Sequence, residues 1–230
     1  MALSEDRIAR YSRQLLVPGF DEGAQERLLG ARVRVVGADA VAAPALVALV
    51  QAGVGRIWID DPEDVSPADL AGWLYPPAAV ATPRTRAAAA ALAPLSSYVL
   101  VDAYPTGGVP SAALVAAPSI AQALAAAEEA RRAGIPHVVI EPDGEGGAVI
   151  TVPPGAPCYS CGRSTGGAGR PPTPGIAALA SLAAQELIQL VAFPGGAGRR
   201  VDLVRGVATV RPTVRLAGCA CSPSSVPAEG

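Results

Sequence analysis

Hydrophobic positions along the chain switch between two periods. Leu15 and Leu16 fall near Ile8 and Tyr11 at helical spacing, and a second helix is predicted from about Asp21 to Leu29, ended by Gly30. ARVRVVG (Ala31 to Gly37) then alternates and is rich in Val, so it predicts a strand. AVAAPALVALVQA (40–52) returns to helical period and is stopped by Gly53 and Gly55. GRIWIDD is the next strand, ending in Asp60 and Asp61. A strand, a helix and a strand within about thirty residues, with an acidic pair closing the second strand, is the layout of a nucleotide-binding crossover.

The alternation continues. An Ala-rich helix is predicted from Arg84 to Leu92, strands in SSYVLVDAYP and AALVAAP, and a helix from about Ile120 to Ala133. IPHVVIEP and GGAVITVPP read as strands, Ile176 to Val191 as a long apolar helix, and RRVDLV and ATVRPTVRL as late strands. Between them, Ser164 to Gly175 is a Gly/Pro-rich loop, expected to be mobile. The tail SPSSVPAEG is expected to fray. The expected fold class is α/β: a Rossmann-like, mostly parallel sheet flanked by helices. We expect one domain over 1–230, with N-terminal helices (1–30), a nucleotide-binding-type core (31–150), a cysteine-bearing region (151–221) and a tail (222–230).

Composition narrows the chemistry. Half of the 230 residues are apolar and 4% are aromatic, so the core must be aliphatic. A net charge of -2 gives no electrostatic footprint for nucleic acid. No uninterrupted apolar run reaches the ~20 residues of a membrane span, and the charged N-terminus lacks a signal-peptide core; the expected location is the cytoplasm. All 18 basic residues are Arg, Asn is absent, and His137 is the sole histidine. This excludes Schiff-base chemistry and P-loop lysines. His137 lies in the apolar run IPHVVIE and reads as a packed strand residue.

Two features carry candidate chemistry. A dinucleotide loop follows G-x-G-x-x-G, where glycines let the backbone approach phosphate. Here the stretch is Gly37-Ala38-Asp39-Ala40-Val41-Ala42. Asp39 puts a carboxylate where a phosphate would sit, and its favoured reading is an N-cap for the following helix. A triphosphate is then bound poorly, bound differently, or not bound. The second feature is Cys158-x-x-Cys161 with Cys219-x-Cys221. Two close thiol pairs, each on a short hairpin, suit a tetrahedral structural zinc site. Two disulfides or free thiols are the competing readings, the former disfavoured in a reducing compartment.

RYSRQLLVPGFDEGAQERL, QAGVGRIWIDDPEDVSPADL and PCYSCG, in this order, resemble the ThiF/MoeB family, bacterial relatives of ubiquitin-activating enzymes, from about Arg10 to Cys221. The resemblance implies a tetracysteine zinc site and a homodimer. It also implies adenylation, with ATP and magnesium, of the C-terminal glycine of a ubiquitin-like sulfur carrier. Arg13 matches the arginine that reaches the partner's ATP phosphates, Gly37 the first loop glycine, and Asp61 the acidic residue on the ATP ribose, with Asp60 as fallback. The family's phosphate-contacting Lys falls at Arg84. Other positions depart from the pattern. Asn-Leu-x-Arg appears as Asp69-Leu70-Ala71-Gly72, and the magnesium carboxylate falls in Ala117-Pro118-Ser119, which has none. No cysteine follows Cys161 in the Gly/Pro-rich loop, so sulfur transfer through one there is not expected. The resulting expectation is a pseudoenzyme or scaffold: a homodimer, or a partner to an active paralogue, meeting a carrier protein or peptide, with ATP and magnesium use in doubt. One alternative is a working adenylyltransferase using Arg84, Arg86 and Asp61 in an altered arrangement. A second, an NAD-dependent oxidoreductase, has no better loop and no proton donor to offer. Arg10 and Arg13 could also serve only in interface salt bridges.

Overall fold

The computed structural model describes residues 3–163 and 173–221. Most of the Gly/Pro-rich loop (164–172) and the tail (222–230) lie outside the described residues. Two short helices, α1 (Glu5–Leu15) and α2 (Glu22–Gly30), precede the sheet. Each starts on a side-chain cap: the Ser4 hydroxyl accepts from Arg7 N–H and the Asp21 carboxylate from Ala24 N–H.

The strands are β1 (Arg32–Val36), β2 (Arg56–Asp60), β3 (Leu100–Ala103), β4 (Ala112–Val115), β5 (His137–Asp143), β6 (Gly146–Val152), β7 (Arg199–Val204) and β8 (Val207–Pro212). They form one sheet in the order β3-β2-β1-β4-β5-β6-β7-β8. The first five run parallel, and β6 to β8 add antiparallel. The order reverses between β1 and β4, which makes that point the crevice of an open α/β sheet.

Helices cover both faces. On one lie α3 (Ala43–Ala52), α4 (Arg84–Leu92) and α7 (Thr173–Ala192); on the other lie α5 (Ile120–Arg132) and α6 (Tyr159–Gly162). The alternation in β1 explains the split. Val33 and Val35 are fully buried toward α3, while Arg34 and Val36 face the α5 side. Small side chains set the spacing: Ala43, Ala45, Leu46 and Leu49 of α3 meet Ala180, Ala183, Ala184 and Leu187 of α7 within one core.

Several expectations shift. The helix after β1 begins at Ala43 and not at residue 40, because residues 40–42 form a turn held by Asp39. The third strand contracts to Leu100–Ala103 and the last to Val207–Pro212, and α7 begins three residues earlier than predicted, at Thr173. The count of apolar residues missed that Pro174–Ala192 is long and apolar enough to cross a membrane. Leu179, Ala183 and Leu187 are instead fully buried against α3 and the sheet. Glu186, in the middle of α7, is buried only because Arg199 (2.7 and 2.8 Å) and the Thr151 hydroxyl (2.6 Å) donate to it.

Two glycines differ in what they allow. A Cβ at Gly55 would stand 1.8 Å from the Leu29 carbonyl oxygen, where the α2 end meets β2; one at Gly30 meets nothing within 4 Å. Gly55→Ala is expected to destabilise by about 3 kcal/mol, while Gly30→Ala is neutral to slightly stabilising. Urea unfolding of the two variants checks both.

Candidate functional site

A cavity of about 280 Å³ opens where the strand order reverses, lined by Val36 and Gly37 at the end of β1, Asp60 and Asp61 at the end of β2, and Ala117 and Pro118 after β4. Gly37 has φ +91°, and a Cβ there would fall 2.5 Å from the Ala116 carbonyl oxygen. That positive φ and close approach explain why glycine stands at this position.

The loop that follows is occupied by the chain's own carboxylates. Asp39, 4% exposed, accepts from Val41 N–H (2.9 Å) and Ala42 N–H (3.4 Å). The helix itself starts later, with Ala42 at its N-cap and no side-chain cap, so Asp39 holds the turn before α3 and is not the N-cap expected from the sequence. Asp61 accepts from Ala38 N–H (2.7 Å) and Glu63 N–H (2.8 Å). Tyr75 donates its hydroxyl to the Ala38 carbonyl at 2.6 Å. Burial first, then the neighbouring Asp61 and Asp69, push the Tyr75 phenol above its usual range, so it stays a donor.

Arg84, the first residue of α4, closes the cluster. Its Nη1 reaches Asp61 Oδ2 at 3.2 Å, and its Nε and Nη2 reach Asp69 Oδ2 at 3.1 and 2.9 Å. The three side chains are 12%, 4% and 3% exposed. Asp69 sits in a 3-10 turn (Pro67–Gly72), where the same Oδ2 also accepts from Ser66 N–H (2.7 Å) and the Ser66 hydroxyl (2.9 Å). Burial alone would raise the Asp69 pKa; the Ser66 N–H, Arg84 and the Ser66 hydroxyl outweigh it and hold the carboxyl below its ordinary value.

Beside this cluster, Arg34 is shared by Asp60 (2.5 Å) and Glu129 (2.8 Å) and lies under the Tyr104 ring at 4.4 Å. The sequence reading did not select Arg34 or Glu129. The signal was present: an arginine inside an alternating strand must find partners if its face is covered. The cavity wall at Ala117 and Pro118 is apolar.

Arg13 and Arg86 are exposed on α1 and α4, and neither lines the cavity. Arg10 donates to the Leu95 carbonyl of its own chain at 2.6 Å. His137 is buried in β5 with Nδ1 2.9 Å from the Ile135 carbonyl, and burial lowers its pKa, leaving it neutral near pH 7.

The four cysteines converge. Their sulfurs all lie within 4.8 Å of one another, with Cys158–Cys219 and Cys161–Cys221 at 3.5 Å and Cys158–Cys161 at 3.8 Å. A tetrahedron of thiolates at zinc-ligand bond length has edges of about 3.8 Å, so the cluster has the size to hold zinc. Cys158-x-x-Cys161 forms a helical turn (α6), not the hairpin expected from the sequence, and Cys161 N–H bonds back to the Cys158 carbonyl. Leu216 N–H donates to the Cys161 sulfur at 3.3 Å, a contact that orients a metal-ligating thiolate. Burial pushes the Cys158 thiol up to about 12. At Cys221 burial also opposes ionisation, but the Cys158 N–H and the neighbouring thiols draw its pKa down to about 6.

A family model described as the ThiF family matches residues 11–207. The chain belongs to the ThiF family. Among curated relatives, the mouse (Mus musculus) adenylyltransferase and sulfurtransferase MOCS3 is 44% identical over 105 residues, 45% of this chain and 23% of that protein. The Thermus thermophilus sulfur carrier protein adenylyltransferase is 37% identical over 106 residues, 46% of this chain and 39% of it. The Salmonella typhimurium molybdopterin-synthase adenylyltransferase is 36% identical over 100 residues, 43% of this chain and 40% of it. These matches therefore span well under half of each relative's length. The crystal structure of E. coli MccB with ATP shares the fold, with a TM-score of 0.79 at 17% identity, covering 96% of this chain and 76% of that one.

Two outcomes are expected of this ThiF-family site. Purified chain should carry about one zinc by elemental analysis. Cys158→Ser or chelation should remove the metal and lower the melting temperature; metal-free chain of equal stability contradicts a structural zinc site. The Asp69–Arg84 pair should also show in the pH dependence of stability. Because the folded carboxyl lies below its unfolded value of about 3.9, the pair's contribution is complete above that pH and is lost as pH falls through the lower, folded value. The stability gap between the unmodified chain and Asp69→Asn, measured by urea unfolding, should be constant from pH 5 to 7 and close below pH 4.

Proposed function

We propose that this chain keeps a ThiF-type scaffold, zinc-bearing at its four cysteines, while its own adenylation chemistry is impaired. It acts as a scaffold or binding partner for a ubiquitin-like carrier or a peptide in a biosynthetic pathway. It does so as a homodimer or beside an active paralogue, and Arg13 of α1 is the residue available to reach a partner copy. The observation that carries this reading is the position of Arg84. Adenylyl transfer is driven by placed positive charge, and a single missing contact costs about 2.7–4 kcal/mol at the transition state. Arg84 stands where the family places its phosphate-contacting cation, yet two buried carboxylates already neutralise it. Asp61, assigned to the ATP ribose, is spent on the Ala38 and Glu63 amides and on Arg84. The loop amides of Val41 and Ala42 point at Asp39. The stretch Ala117-Pro118-Ser119 just after β4, where the resemblance places the magnesium ligand, carries no carboxylate.

One observation favours a second reading, a working adenylyltransferase with an altered arrangement. The cavity at the strand reversal is open and still bordered by Gly37, Asp60 and Asp61. Asp60, the more exposed of the two acids, would then take the ribose role.

ATP–pyrophosphate exchange separates the readings. With magnesium and a small carrier ending in Gly-Gly, the proposal expects exchange at least about 10²-fold below that of an active relative. Exchange at the relative's rate contradicts impairment and installs the second reading.

A further inference from the structure

Asp69 is more than a lost amide. One of its oxygens, Oδ2, collects four donors: the Ser66 N–H and hydroxyl, and Nε and Nη2 of Arg84. The remaining terminal nitrogen of Arg84 is turned to Asp61. All three guanidinium nitrogens are thus engaged from within, beside a cavity whose wall carries Asp60, Asp61, Glu63 and Glu129 against the single Arg34. That arginine is itself divided between Asp60 and Glu129. Charge at the site is set by the chain before any ligand arrives.

We propose that Asp69 is a specificity-determining residue: it serves as the internal counter-ion of Arg84 and so makes the cavity discriminate against polyphosphate ligands in favour of uncharged ones of the same shape. The proposal rests on the impaired-site reading above and adds its cause. Two buried carboxylates on one guanidinium leave a net negative charge, so an incoming polyphosphate meets repulsion where it needs a cation. Removing the charge of Asp69 reverses this without removing the geometry. An asparagine carbonyl oxygen can accept from Ser66 and Arg84 as Oδ2 does, so Asp69→Asn preserves the cap of the 3-10 turn. It leaves Arg84 balanced by Asp61 alone. Asp69 stands behind Arg84 and off the cavity wall, and one unit of charge acting across a guanidinium still changes the affinity of an anion by about tenfold.

The test uses the full chain, adenosine and ATP as probes in the presence of magnesium, and isothermal titration as readout. The unmodified chain should bind ATP no more tightly than adenosine. Asp69→Asn should bind ATP at least about tenfold tighter than the unmodified chain, with adenosine affinity unchanged. Adding Arg84→Gln to that variant should erase the gain. Equal ATP affinity with and without Asp69→Asn overturns the proposal, as does a gain that survives Arg84→Gln. Should Asp69→Asn fail to fold, by its melting curve, the unmodified chain still decides: ATP binding more tightly than adenosine overturns the proposal. Brisk pyrophosphate exchange by the unmodified chain would remove the impaired-site reading. An unchanged affinity in Asp69→Asn removes only the role of Asp69.

Discussion

The guanidinium of Arg84 between Asp61 and Asp69 is the contact on which the rest of the nucleotide-facing end depends. It joins four segments distant in sequence: the end of β2, the 3-10 turn at Pro67–Gly72, the start of α4 and, through Asp61, the Ala38 amide of the loop after β1. Three charges this deeply buried are tolerable only together. Removing Arg84 would leave two buried carboxylates uncompensated, a loss of about 3–5 kcal/mol in comparable buried pairs. The cluster therefore has a structural reason to persist. The same contacts occupy Asp61, all three nitrogens of Arg84 and the Ala38 amide. On the function proposed above, stability of the loop and capacity for phosphate compete for this one set of atoms.

The molecule separates scaffold from chemistry along the sheet. The parallel half, β1 to β5, has the crevice between β1 and β4 and the cluster that borders it. After the antiparallel β6 comes the α6 turn with Cys158 and Cys161, and the segment after β8 brings Cys219 and Cys221 back to them. Four sulfurs spaced for tetrahedral coordination close the chain's end onto its middle. That closure needs no contribution from the nucleotide loop. The family match over residues 11–207 covers the whole parallel half of the sheet.

How much of this was readable from sequence depended on the range of the interaction. Val33 and Val35 alternating with Arg32 and Arg34 announced a strand, because strand periodicity is local; the alternation did not announce that both of its faces are covered. That Asp39 bonds nearby amides was legible for the same reason, its partners Val41 and Ala42 being two and three residues away, although the turn it holds precedes α3 and does not cap it. The Asp61–Arg84–Asp69 cluster was not legible, since its members lie up to 23 residues apart and only the fold brings them together. Asp69 read as a missing amide, and its charge acquired meaning only against Arg84. The cysteines were legible as a set but not in local shape. The hydrogen bond from Cys161 N–H to the Cys158 carbonyl makes a helical turn, which pair spacing alone does not distinguish from a hairpin. Arg34 was passed over because its partners, Asp60 and Glu129, come from β2 and from α5.

The central claim is that Arg84 belongs to its two carboxylates and not to a ligand. A crystal structure of the unmodified chain grown with magnesium and ATP tests this most directly. Arg84 is expected still to bridge Asp61 and Asp69, with no triphosphate on its guanidinium. An ATP triphosphate bound to Arg84, with Asp69 released from it, would show that the guanidinium serves a ligand instead.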